Sequence, residues 1–202
     1  MLDRGERGRE LLPARRVTVV APSDDVDAIQ AAALALAHSP VRAVSLDVSW
    51  KRGGGAAVAR YAGGAAREQA RAASRTVQEA GLPARLEEDD EVVWARQRAA
   101  QRSPDGVLLK VSSLPAELSR VLRVAERARV SAVARAGLGL SWLALEPRPV
   151  ADLVAAVEEV RAALAPRPVV VLDGPRQVRE SLDVWGERHD GSAATTSTSS
   201  TS

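Results

Sequence analysis

The order of strand-like and helix-like stretches over residues 16–172 predicts an α+β protein: tandem βαββαβ (ferredoxin-like) units forming an antiparallel sheet with helices packed on one face. Three observations carry that expectation. The order strand, helix, strand, strand, helix, strand is read twice, over about 16–88 and again over 107–172. The helical stretches keep apolar stripes at three- and four-residue spacing, whereas the strand runs are short, β-branched or alternating. Glycine-rich turns join the strand runs that follow one another directly, at Gly53-Gly54-Gly55 and Gly137–Gly139. No residue motif repeats between the copies, so the repeat is one of order alone.

Arg16–Ala21 is the first strand, with Pro22 expected to stop it. A helix is expected to begin at Ser23, with Asp24, Asp25 and Asp27 in its first turn, where carboxylates suit the positive end of the helix dipole. Val26, Ile29, Ala33 and Leu36 form its apolar stripe, and Pro40 ends it. Residues 43–50 read as a strand with Val44, Leu46 and Val48 on one face and Ser45, Asp47 and Ser49 on the other. The chain turns at Lys51–Gly55 into a returning strand, Ala56–Tyr61. A helix over 65–80 follows, closed by Gly81 and Pro83. Residues 84–88 are short and polar, suited to a sheet edge.

The connection Asp89–Gln101 reads as a short helix carrying Val92, Val93 and Trp94, and Ser103-Pro104-Asp105-Gly106 as a turn. In the second unit Val107–Ser112 is a strand. Pro115–Arg129 is a helix with its stripe at Leu118, Val121, Leu122 and Ala125. Strands at 132–136 and 140–145, a helix at 149–164 and a strand at 168–172 complete it, and a last helix is expected at 176–183. The ordered domain is thus expected over 15–187. Residues 1–14 read as a polar leader or linker remnant. The Ser/Thr-rich tail, 188–202, has too little apolar surface to offset chain entropy and is expected to be disordered.

Composition removes several chemistries. The 202 residues contain no cysteine, which excludes disulfides, thiolate catalysis and sulfur-ligated zinc. His38 and His189 are the only histidines, a poor basis for a metal centre or a histidine relay. With no Phe and a single Tyr, the core must be Val, Leu and Ala. The 28 basic residues, all arginine except Lys51 and Lys110, interleave with 26 acidic ones. A nucleic-acid binder concentrates its charge on one face, so no nucleic-acid partner is expected. No apolar run approaches the ~20 residues that cross a bilayer, and the charged N-terminus lacks the apolar core of a secretory signal. No membrane insertion and a cytoplasmic location are expected.

The glycine runs lack both the Walker and the dinucleotide spacing and read as hairpin turns. The acidic run Glu87–Glu91 lacks the alternation of a calcium loop and reads as a solvated turn before a helix. More informative are cations set inside strands: Arg60, Lys110 and Arg135. On the sheet face away from the helices they either lay their stems over an exposed surface or form a binding site, since a guanidinium grips a carboxylate or phosphate by two parallel bonds. Trp94, Trp142 and Trp185 read as core or interface anchors rather than stacking platforms.

Several stretches resemble one flavoprotein group. Val58-Ala59-Arg60-Tyr61-Ala62-Gly63 before a helix is similar to that group's "vRfeG" strand. The acidic segment leading to Trp94, then Leu109-Lys110-Val111-Ser112-Ser113-Leu114-Pro115, is similar to its "E..lW" and "R-l-S-v-x-P" elements. Gly137–Leu140 with Trp142, then Val169–Leu172, lead to Asp183-Val184-Trp185-Gly186, which is similar to its "vDvWG" ending. The group is the FAD-binding subunit of glycolate oxidase and its FAD-linked oxidase relatives. The likeness spans about 16–187 and falls on the C-terminal, or cap, half of that family.

The resemblance implies a cap or substrate domain of an FAD-dependent 2-hydroxyacid oxidoreductase, inactive without a separate FAD-binding half. FAD is implied as cofactor, held mainly by that other half, which takes a hydride from the α-carbon of a small 2-hydroxy acid. The implied partners are the FAD-binding half or other oxidase subunits. Arg60, Lys110 and Arg135 become candidates for the clamp on the substrate carboxylate, because an anion in a desolvated site needs fixed positive charge. No residue is singled out as catalytic base. The alternative is a non-catalytic ferredoxin-like binding or assembly module, since fold alone does not settle function.

Overall fold

A computed structural model describes residues 15–186; the expectations for 1–14 and 188–202 lie outside the described residues. The first unit comprises β1 (Arg16–Ser23), α1 (Val26–His38), β2 (Ser45–Lys51), β3 (Gly54–Ala62), α2 (Ala66–Glu79) and β4 (Arg85–Glu87). Helix α3 (Glu91–Ala99) lies in the connection. The second unit comprises β5 (Val107–Ser112), a 3₁₀ turn at Pro115–Glu117, α4 (Leu118–Arg127), β6 (Ser131–Arg135), a 3₁₀ turn at Ala136–Leu138, β7 (Leu140–Leu145), α5 (Val150–Leu164) and β8 (Val169–Asp173). A short α6 (Arg176–Ser181) follows.

All eight strands form one antiparallel sheet in the order β4-β1-β3-β2-β6-β7-β5-β8. Read from either end, each unit has the ferredoxin-like order, last strand, first, third, second. The two units meet at their second strands, where Asp47 of β2 stands opposite Arg135 of β6 and Trp50 opposite Ala132. The α+β architecture and its tandem units are therefore as the sequence predicts.

Alternation along the strands sorts the side chains into two faces. Val17, Val19 and Ala21 of β1, Val48 of β2, Ala59 and Tyr61 of β3, and Leu109, Leu143 and Leu145 of the second unit enter one continuous core with α1, α2, α4, α5 and α6. Helix α2 contributes Ala66, Ala70, Ala73 and Val77, small groups that let its backbone approach the sheet closely. Helix α3 departs from this layering, for Trp94 packs on Val20 and Val58 of the opposite face. No helix among the described residues is long and apolar enough to cross a membrane.

Local chemistry explains the small differences from expectation. Pro22 continues β1 instead of stopping it, pairing with Ala56. The three-residue β4 pairs β1 only over Thr18–Val20, so one side of β1 is free at position 22 and a missing N–H is tolerated there. Helix α1 begins after Asp25 rather than at Ser23, because the Asp25 carboxylate accepts from the N–H groups of Asp27 and Ala28. Val44 lies outside β2 and is exposed instead of joining the core. The β2–β3 hairpin turns on Arg52 (φ 52°) and Gly53 (φ 77°), the paired left-handed residues of a type I′ turn. Trp50 Nε1 and Gly53 N both donate to Glu126 Oε2, at 2.7 and 2.8 Å, and tie that turn to α4.

The β6–β7 connection depends on one glycine. Gly139 has φ 65°, and a Cβ there would lie 2.0 Å from the Ser113 carbonyl oxygen. Backbone strain and forced displacement together predict that Gly139→Ala lowers stability by about 2–4 kcal/mol. Gly137, with open space around it, is expected to accept alanine within about 0.5 kcal/mol. Urea unfolding of both variants checks the contrast, and equal stabilities would refute it.

Candidate functional site

The sheet face away from the main core carries Thr18, Arg60, Asp47, Arg135, Trp142 and Lys110, each from a different strand. Part of that face is covered. Over β1 and β3, α3 brings Asp90 and Trp94 onto Thr18 and Arg60. The Arg60 guanidinium donates from both Nε and Nη2 to Asp90, each at 2.8 Å, and lies 4.6 Å from the Trp94 ring centroid. Thr18 Oγ1 donates to Asp90 Oδ2 at 2.6 Å and accepts from Trp94 Nε1 at 2.9 Å.

The side chains of this pair are 16% and 6% exposed, so the network is shielded from competing water. Burial raises the Asp90 carboxyl pKa, but the hydrogen bonds from Arg60 and Thr18 and the nearby positive charges of Arg60 and Arg16 outweigh it. The pKa is held below the ordinary carboxylate value. Arg60 is thus fully engaged in fixing α3 to the sheet.

The other two cations stand on β5 and β6. Lys110 lies directly opposite Trp142 of β7 in the register, and the Arg135 guanidinium carbon sits 5.7 Å from the Trp142 ring centroid. Neither cation forms an ion pair among the described residues. The structure therefore brings Lys110 and Arg135 together around Trp142 and keeps Arg60 apart. At the same end of the sheet, the loops before β2, after β5 and between β6 and β7 leave Val44, Leu114 and Leu138 exposed.

Two carboxylates in this region were not candidates from sequence. Asp90 hid in the run Glu87–Glu91, four of whose five members are engaged rather than merely solvated: Glu87 with Arg85, Glu88 with Arg15 and Arg67, Asp90 with Arg60, and Glu91 with Arg98. Asp47 occupies the seam between the units, opposite Val58 on one side and Arg135 on the other. It is 6% exposed, and its pKa is pushed up to about 6 by burial, with the charge of Arg135 pulling the other way. A carboxylate in the middle of a strand, between Ser45 and Ser49 on the same face, was the available signal for it.

The glycine runs 53–55 and 137–139 open into strands, not helices. Neither fans backbone N–H groups at a helix start as a pyrophosphate site requires, so these turns do not fit the diphosphate of FAD. Among the described residues no group of three or more His, Asp or Glu side chains could hold a metal ion. A scan against protein-family models finds no match for this chain, and a search of the curated proteins finds none either.

Proposed function

We propose that this chain is the cap domain of an FAD-dependent 2-hydroxyacid (glycolate-type) oxidoreductase, working with a separate FAD-binding half or other oxidase subunits in the cytoplasm. The observation that supports it most is the uncovered part of the sheet face, where Lys110 and Arg135 flank Trp142 and neither is tied up in an ion pair among the described residues, although the buried Asp47 lies opposite Arg135. A small carboxylate suits two fixed cations beside an apolar ring, and the planar guanidinium offers the two-pronged grip. In open water such a clamp is weak, because solvent screens it. A partner seated over the face would exclude water and strengthen every charge contact, and the exposed Val44, Leu114 and Leu138 provide an apolar rim for it.

In this reading Lys110 and Arg135 bind the substrate carboxylate. Arg60 is a positioning residue, holding α3 through Asp90. In this reading the FAD diphosphate is held by the partner, in keeping with the turns at Gly53–Gly55 and Gly137–Gly139, which open into strands.

Co-expression with a flavin-binding half from the same genome tests the proposal. A yellow complex that oxidises glycolate is expected to copurify with this chain. Arg135→Ala and Lys110→Ala are each expected to raise KM for glycolate roughly 10-fold or more, the size of a lost hydrogen bond to a charged group. A colourless preparation that retains no flavin domain overturns the proposal. If the complex forms but both variants keep the parental KM, the clamp assignment is wrong.

A further inference from the structure

Helix α3 turns Val93, Trp94, Gln97 and Ala100 inward, the spacing of a packed apolar stripe with one polar member. Its first turn rests on Val20 and Val58. One turn later the floor of the sheet beneath is formed by the short side chains of Ser49, Ala56, Ser131 and Ala144. A cavity of about 540 Å³ remains there, within the range of small-molecule sites. Gln97 lines it, is only 4% exposed, and its Oε1 has no hydrogen-bond partner. A buried acceptor left unsatisfied is unfavourable, and a leucine would pack at this position without that penalty.

The charges around the cavity have one sign in excess. Lys51, Arg85, Arg96 and Arg102 line it against a single acid, Glu146. Lys51 pairs with Glu146 at 3.4 Å and Arg85 with Glu87 at 2.7 Å. Arg96 and Arg102 are left without an ion pair among the described residues. The site is separate from the cations around Trp142. Ser131, in the cavity, and Arg135 are four residues apart on β6, about 13 Å at the rise of a strand.

We propose that this cavity binds a small amphipathic carboxylate, its apolar body on the small-residue floor, a polar group beside the Gln97 amide and its charge beside Arg96 and Arg102. This site is independent of the cap-domain reading.

The test titrates the full chain with 8-anilinonaphthalene-1-sulfonate, which has an aromatic body, one N–H donor and one anionic group, followed by fluorescence. One saturable site is expected, displaced by indole-3-acetate, which offers the same three features with a carboxylate. Ala144→Leu, which fills the floor, is expected to weaken the dye at least tenfold. Gln97→Leu should weaken it several-fold without lowering the melting temperature. An Arg96→Ala, Arg102→Ala double variant should weaken it and flatten its salt dependence. An Arg135→Ala, Lys110→Ala double variant should bind as the parent does. Absence of saturable binding overturns the proposal, as does unchanged affinity in both Gln97→Leu and the Arg96, Arg102 double variant. Should Ala144→Leu fail to fold, those two variants and the competition decide.

Discussion

Replacing Asp90 with alanine is expected to lower the unfolding free energy by about 3–5 kcal/mol, the penalty of breaking a shielded ion pair from one side. Two side chains lose their partner at once, Arg60, which keeps its charge beneath α3, and Thr18, which loses an acceptor, and the hydroxyl that accepts from Trp94 is no longer held in place. The effect must depend on pH. Because the folded carboxyl titrates below its ordinary value, its stabilisation is fully present above the unfolded value of about 3.9 and is lost as pH falls through the folded one. The gap between parent and variant in urea unfolding should therefore be widest near neutrality and close on acidification below about pH 4. Arg60→Met in the Asp90→Ala background should recover part of the loss, since it removes the stranded charge. A gap under 1 kcal/mol at pH 7 would show that the network contributes little.

The second large effect has the opposite sign. Asp47→Asn is expected to stabilise the protein at pH 7 by up to about 3 kcal/mol, the equivalent of a carboxyl raised from 3.8 to about 6. Below pH 4 the native carboxyl is protonated in both folded and unfolded chains, and the substitution should be nearly neutral. Between about pH 4 and 6 the folded state binds the proton more tightly, so this residue makes the native protein less stable as pH rises. The difference between variant and parent, measured by urea unfolding at pH 4 and pH 7, isolates Asp47 from the other titrating groups. No growth of that difference toward pH 7 would mean that Asp47 keeps enough solvent to ionise freely. A residue that opposes folding at neutral pH, beside Arg135 on the uncovered face, is the kind of position where stability is given up for a binding surface.

Much of this architecture was legible in the residues because it is written in local chemistry. The alternation of Leu46 and Val48 against Ser45 and Asp47, the glycine turns, and the helix stops before Pro40 and Pro83 each act over a few positions, and the structure follows them, Pro22 inside β1 being the exception. What was not legible depends on contacts between distant segments. Joining the two units through β2 and β6 pairs residues almost ninety positions apart, as Asp47 with Arg135, and no short-range pattern announces it. The same holds for Arg60. Its place inside a strand was visible, but its engagement rests on Asp90, thirty residues later, on a helix crossing the face expected to be bare. Gln97 was indistinguishable from a solvent-facing glutamine until the floor beneath it was seen to be small.

The seam between β2 and β6 also decides what becomes of either unit made without the other. Its two outer rims are guarded: β4 is only three residues long, and the Val184 carbonyl accepts the N–H of Val171 along β8. Neither β2 nor β6 has any such guard. A gene cut inside residues 100–106 would yield two pieces, each with a bare rim of unpaired backbone N–H and C=O groups that invites another copy to zip onto it. Carrying both units on a single polypeptide keeps that adhesive margin permanently closed.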